Sequence, residues 1–213
     1  MFKFKKLISA VLTLAMVCSL SIPAFAQTSD IDETSLAQKY TVDDIKALEP
    51  YVSAVDGHFT FDVEQAKADN VDTELIEGQV QYFDFLNCRA DRGEITIEED
   101  LGIINNNTSV IHATHWPSCG GGINTSVTEY WWGYSRYACD CETQRISADL
   151  NSAASVAAGI AVVTAYFGAI PAIPPGLDSA YFWLLASRLD ANNHGYGVYI
   201  EMTWVLVFDI TPQ

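Results

Sequence analysis

Apolar and polar positions change their period several times along the chain, and each change marks an element. Ile76, Val80, Phe83 and Leu86 recur at helical spacing with acids on the other faces, which predicts a helix over 72–90. Thr41 and Asp62 stand where N-caps belong, so short helices are expected over 42–48 and up to Lys67. His58–Phe61 reads as a short strand, and 94–104 as a hairpin around Glu99 and Asp100. Residues 109–113 and 124–137 are β-like, the second stretch rich in Thr, Val, Tyr and Trp. Asp140 is placed to cap a helix running from Glu142 to about Phe167, and Asp178 to cap a second over 179–189. The chain closes on what reads as one strand. Val198, Ile200, Met202, Trp204, Leu206, Phe208 and Ile210 alternate with a face carrying Tyr199, Glu201, Thr203 and Asp209.

The expected fold is therefore α+β. An acidic, mostly helical N-terminal segment precedes an antiparallel sheet packed on an apolar helix hairpin, with disulfides linking the parts. Three stretches follow from this reading: 1–26, 27–100, and a Cys-containing α+β module over 101–213 whose apolar helix hairpin spans 142–189. No period of repeat length recurs, which excludes a solenoid.

Residues 1–26 have the plan of a secretory signal peptide. Lys3, Lys5 and Lys6 precede an apolar run over 7–20, and Ala24-Phe25-Ala26 supplies a cleavage site, so secretion with cleavage after Ala26 is expected. The net charge is −16, and losing those three lysines leaves 8 basic against 27 acidic residues, or −19. Such a chain has no basic stripe to neutralise phosphates, which excludes nucleic acid as a partner. The acids crowd into 27–100, with 19 acidic residues against 5 basic, while 101–213 holds 8 against 3. A solvated acidic surface explains much of this.

Signal removal also discards Cys18 and leaves Cys88, Cys119, Cys139 and Cys141. An even count in a secreted chain reads as two disulfides. Cys139 and Cys141 are too close in sequence to bond without strain, so Cys88 and Cys119 are each expected to reach one of them. The competing readings are a metal site built from His112, His115, Cys119, Cys139 and Cys141, and a Cys119 nucleophile activated by a histidine. The first needs thiolates in an oxidising compartment, and the second an unpaired thiol. Gly120-Gly121-Gly122 lacks the Lys-Ser/Thr of a phosphate cradle.

No charge occurs from Leu150 to Leu177, and the first arm of the helix pair is rich in small residues. Ser155 with Gly159, and Ala157 with Ala161, have the spacing that lets helices approach closely. The plain reading is a buried hairpin covering the sheet. The functional reading is that Val156, Ile160, Val163, Phe167, Phe182 and Trp183 are hidden in solution and enter a lipid bilayer or other envelope component of a target cell. The layout of signal, acidic segment and Cys-bearing apolar C-terminal part resembles that of secreted antimicrobial precursors of Gram-positive bacteria. That resemblance implies a bacteriocin-like or toxin-like, non-enzymatic role.

Two smaller patterns offer other chemistry. Asp190, Asn192 and Glu201 fall on calcium-loop positions after a helix, although Asn193-His194-Gly195 is more simply a turn, so no cofactor is expected beyond this partial calcium pattern. Trp131, Trp132 and Tyr134 would serve a cell-wall or carbohydrate-binding module if exposed. Asp84, Glu129 and Glu201 are the carboxylates that a secreted hydrolase could use. No motif raises an enzyme above the non-enzymatic reading.

Overall fold

The computed structural model describes residues 39–106, 121–168, 170 and 177–213. The signal segment, the strand expected over 109–113, and His112, His115 and Cys119 lie outside the described residues. The protein is mixed α and β with antiparallel sheets, as expected.

The first part runs α1 (Val42–Lys46), a 3-10 turn (Glu49–Tyr51), β1 (Val52–Val55), β2 (His58–Phe61), α2 (Val63–Ala68), α3 (Thr73–Asp91), β3 (Ile95–Ile97) and β4 (Ile103–Asn105). Local chemistry explains most of these boundaries. Thr41 and Asp44 form a reciprocal capping box, with the Asp44 amide donating to the Thr41 hydroxyl at 3.2 Å and the Thr41 amide to the Asp44 carboxylate at 2.8 Å. Asp62 and Asp72 accept first-turn amides of α2 and α3. The β1–β2 hairpin turns through Asp56 and Gly57, both at positive φ, as a two-residue turn requires.

The second part runs β5 (Thr128–Tyr130), β6 (Gly133–Ala138), α4 (Asp140–Asn151), α5 (Val156–Phe167), α6 (Ser179–Asn192), β7 (Val198–Thr203) and β8 (Phe208–Pro212). Four antiparallel strands lie in the order β5-β6-β7-β8. Helices α4, α5 and α6 bury the face that carries Ala138, Val198, Ile200, Met202 and Ile210.

Several boundaries differ from expectation. The long helix divides at residues 152–155, where the Ser152 hydroxyl donates back to Ala148 O and Ser155 caps α5 through the Ala158 amide. Serines satisfy the backbone in place of a continuous ladder. The stretch 124–137 turns at Trp131 and Trp132 into the β5–β6 hairpin. The final strand is two strands. It reverses at 204–207, where Thr203 N–H donates to Val207 O and Leu206 adopts φ 65°. A β-carbon at that φ costs roughly 1–2 kcal/mol, which the burial of Trp204, Val205, Leu206 and Val207 offsets.

The expected Cys88 disulfide is absent. No bond joins Cys88, Cys139 and Cys141 to one another among the described residues. Cys88 lies in the last turn of α3, beside Arg89, which reaches Glu129 opposite Tyr134 near the hairpin end of β6, whereas Cys139 follows the other end of that strand and Cys141 lies in the first turn of α4. The Cys88 sulfur instead accepts from the Arg92 guanidinium at 2.9 Å.

The core falls into two clusters that meet at the 204–207 turn. Trp204, Val205 and Val207 pack with α1, β2, α3 and β3, together with Trp131 and Trp132. Leu206 joins the helix-covered sheet. The Trp204 indole lies on Gly78, where an added β-carbon would come within 2.2 Å of the ring. Its N–H donates to Gln79 at 2.8 Å, and the fully buried Gln79 amide donates to Trp131 O at 3.1 Å. Replacing Gly78 by Ala at an ordinary helix position gains about 1 kcal/mol. Here Gly78→Ala is expected to lower stability by about 1–3 kcal/mol, a reversal of sign that urea unfolding measures directly.

Candidate functional site

Five of the six side chains expected to enter a bilayer turn inward. Val163, Phe167 and Phe182 are fully buried, and Val156 and Ile160 are half-buried against the same cluster. Trp183 projects outward and is 60% exposed, beside Leu184 at 42%. Gly159 receives the Phe182 ring, and a β-carbon there would lie 2.5 Å from it. The small-residue spacing thus seats an aromatic ring on one side, while Ala157, Ala161 and Ala165 face outward on the other.

The outer surface of this helix pair is free of charge over a long stretch. The exposed alanines of α5 and Ala180, Trp183 and Leu184 of α6 make an uncharged face on a chain of net charge −16. In sequence, the first charged residues that flank these positions are Asp149, Asp178 and Arg188. No helix among the described residues is long and apolar enough to cross a membrane.

A buried ion pair holds the C-terminal end of α5, and sequence reasoning missed it. Arg136 donates to Tyr166 O at 3.0 Å, to Asn124 at 3.1 Å and to Glu142 at 3.3 Å, and its Nε is buried without a partner. A guanidinium against the last carbonyls of a helix complements its dipole. Burial pulls the Arg136 guanidinium below its ordinary range, while the Glu142 carboxylate pushes the other way. The signal was present in the strand pattern. Tyr134, Arg136 and Ala138 share the inward face of β6, so a charge falls where an apolar residue is usual. Tyr166 also donates to Asp149 at 2.6 Å, and burial, with Asp149, holds its phenol well above the usual range. The Tyr181 hydroxyl joins α6 to the 204–207 turn by donating to Leu206 O at 2.7 Å, and burial raises its phenol too.

The other expected residues are placed differently. Asp190 and Asn192 lie in the last turn of α6 and Glu201 in β7. Glu201 pairs with Lys46 at 2.7 Å and accepts from Tyr199, while Asn192 donates to Arg188 O. Asn193 builds the turn itself, accepting the Gly195 and Gly197 amides and donating to Asp140. Among the described residues no group of three His, Cys, Asp or Glu side chains is arranged to hold a metal ion. Trp131, Trp132 and Tyr134 are buried, so they form core and no exposed platform. Asp84 is exposed on α3, and Glu129 is neutralised by Arg89 at 2.9 Å.

Breaking the Arg136–Glu142 pair from one side leaves a charge buried. Arg136→Met is expected to cost about 3–5 kcal/mol. Adding Glu142→Leu should recover much of that loss, because the stranded carboxylate is then removed. Equal instability of the single and double variants in urea unfolding would contradict this assignment.

Comparison with protein-family models, curated proteins and solved structures finds no match to this chain.

Proposed function

We propose that the protein is a secreted, non-enzymatic factor that acts on the membrane of a target cell in the manner of a bacteriocin or toxin. The observation that carries this reading is the uncharged outer face of α5 and α6, with Trp183 and Leu184 exposed on it. A tryptophan ring beside small apolar residues suits the boundary between headgroups and acyl chains.

At 12 residues, α5 is about 18 Å long, short of the ~30 Å hydrocarbon core. The action is therefore interfacial. α5 leaves the body and lies in the membrane plane, while α6 stays. This division follows from burial. α5 fully buries only Gly159, Val163 and Phe167, and it is bounded by the break at 152–155 and by Gly168 at φ 110°. α6 buries Tyr181, Phe182, Leu185, Ala186 and Leu189.

A second reading is glycan binding, on a face other than the buried tryptophans. Tyr137 and Tyr199 pair across β6 and β7 with ring centroids 4.7 Å apart, on the sheet face opposite the helices, and the Tyr199 hydroxyl donates to Glu201. A ring face beside a carboxylate suits a sugar. Hydrolysis has less support, since Glu129 and Glu201 are both held in ion pairs.

Dye release from lipid vesicles tests the lead. The chain without residues 1–26 is expected to cause leakage. Trp183→Ser should slow it about tenfold through lost apolar contact, and Gly159→Ala, which pushes α5 off Phe182, should speed it. Absence of leakage from both neutral and anionic vesicles would overturn the membrane reading. Retention on insoluble cell-wall glycan, lost in Tyr199→Ala, would then favour the second.

A further inference from the structure

An open groove of about 610 Å³ lies beside the exposed end of α6. One wall is an α6 stripe in which Tyr181, Leu184, Arg188 and Asn192 fall on a single face. The other is the start of α1, with Tyr40 and Asp43, on the opposite side of the sheet, and between the two walls runs the edge of β8, with Asp209 and its β7 neighbour Glu201 turned to the α1 side. The volume is that of a small-molecule site.

The charges across this groove are divided. Arg188 supplies its one guanidinium, and Asp43, Asp209 and Glu201 supply carboxylates. Glu201 is already neutralised by Lys46. Arg188, Asp43 and Asp209 form no ion pair with one another or with other described residues. A ligand that satisfies both walls must carry an anion and a cation. A peptide strand added to β8 fits poorly, because the Ile210 amide is taken by the Asp209 side chain and Pro212 has none to offer. Leu184 forms part of the groove wall, and Trp183 stands next to it on the same helix. The groove therefore opens beside the face assigned to the membrane.

We propose that this groove takes the zwitterionic phosphoester headgroup of a membrane phospholipid, with its phosphate on Arg188 and its ammonium on Asp209 and Asp43. The inference rests on the membrane reading and gives it a lipid class. It also reconciles that reading with the net charge of −19 that the chain carries without residues 1–26, which repels anionic bilayers but not neutral zwitterionic ones.

The test is co-sedimentation of the chain with phosphatidylcholine or phosphatidylglycerol vesicles. Binding is expected to favour phosphatidylcholine. It should fall about tenfold in Arg188→Gln and in Asp209→Asn, the worth of one charge-assisted hydrogen bond, and soluble phosphocholine at millimolar concentration should compete. Glu77→Gln, exposed on α3, serves as the neutral control, with the circular-dichroism melting curve of each variant checking its fold. Equal binding to both lipids, or binding indifferent to the two groove variants, overturns the inference. Capture of free phosphocholine without vesicle binding overturns the lipid source. Leakage that persists without headgroup preference leaves the membrane reading standing alone. Headgroup-selective binding without leakage from any vesicle sinks permeabilisation and keeps the groove.

Discussion

The seating of Trp204 against Gly78 joins the two halves of this protein. The indole occupies the only room a glycine leaves on the buried face of α3, and its N–H is satisfied by Gln79, which in turn donates to Trp131 O. A buried donor without that acceptor would cost about 1–3 kcal/mol. Trp204 belongs to a turn whose four residues are all buried, an arrangement possible only because two clusters close over it from opposite sides. The sheet cannot hide its β7–β8 turn without α3, and α3 cannot fill its glycine notch without the sheet.

Apolar residues of the acidic N-terminal segment consequently serve as part of the core. Val42, Ile45, Phe59 and Leu86 share a cluster with Trp131, Trp132 and Trp204, although their charged neighbours face solvent. Detaching this segment would expose the turn and its aromatic surroundings, a change different in kind from uncovering α5. α5 lies in the other cluster, where apolar contact and the Arg136 guanidinium at its C-terminal end hold it. The contacts of α5 are thus separate from those that seat Trp204 on α3, although α5 shares its cluster with α6 and the sheet.

Much of this was legible in the sequence, wherever local chemistry set the boundary. The caps at Thr41, Asp62 and Asp178, the α3 helix and the β3–β4 hairpin were read from local pattern, whereas Asp140, read as a cap, is the first residue of α4 behind Cys139. The α3 stripe was rotated, because Gln79 and Tyr82 are buried for hydrogen bonds that no hydrophobic pattern contains. The turn at 204–207 was invisible for a stronger reason. It has no Gly, Pro, Asn or Asp, and alternation runs through it unbroken, so only tertiary burial pays for Leu206 at positive φ. Of the candidate site, the apolar helix pair was legible from its missing charge. Arg136, Glu142 and the groove were not, because each joins elements far apart in sequence.

Hydrogen–deuterium exchange in the presence and absence of lipid vesicles bears most directly on the claim that α5 moves while the body holds. Amides of α5 should lose protection or shift to a new pattern on vesicles, while those of α3, β6 and β7 keep theirs. Unchanged protection in α5, or loss spread equally through α3 and the sheet, would contradict the account.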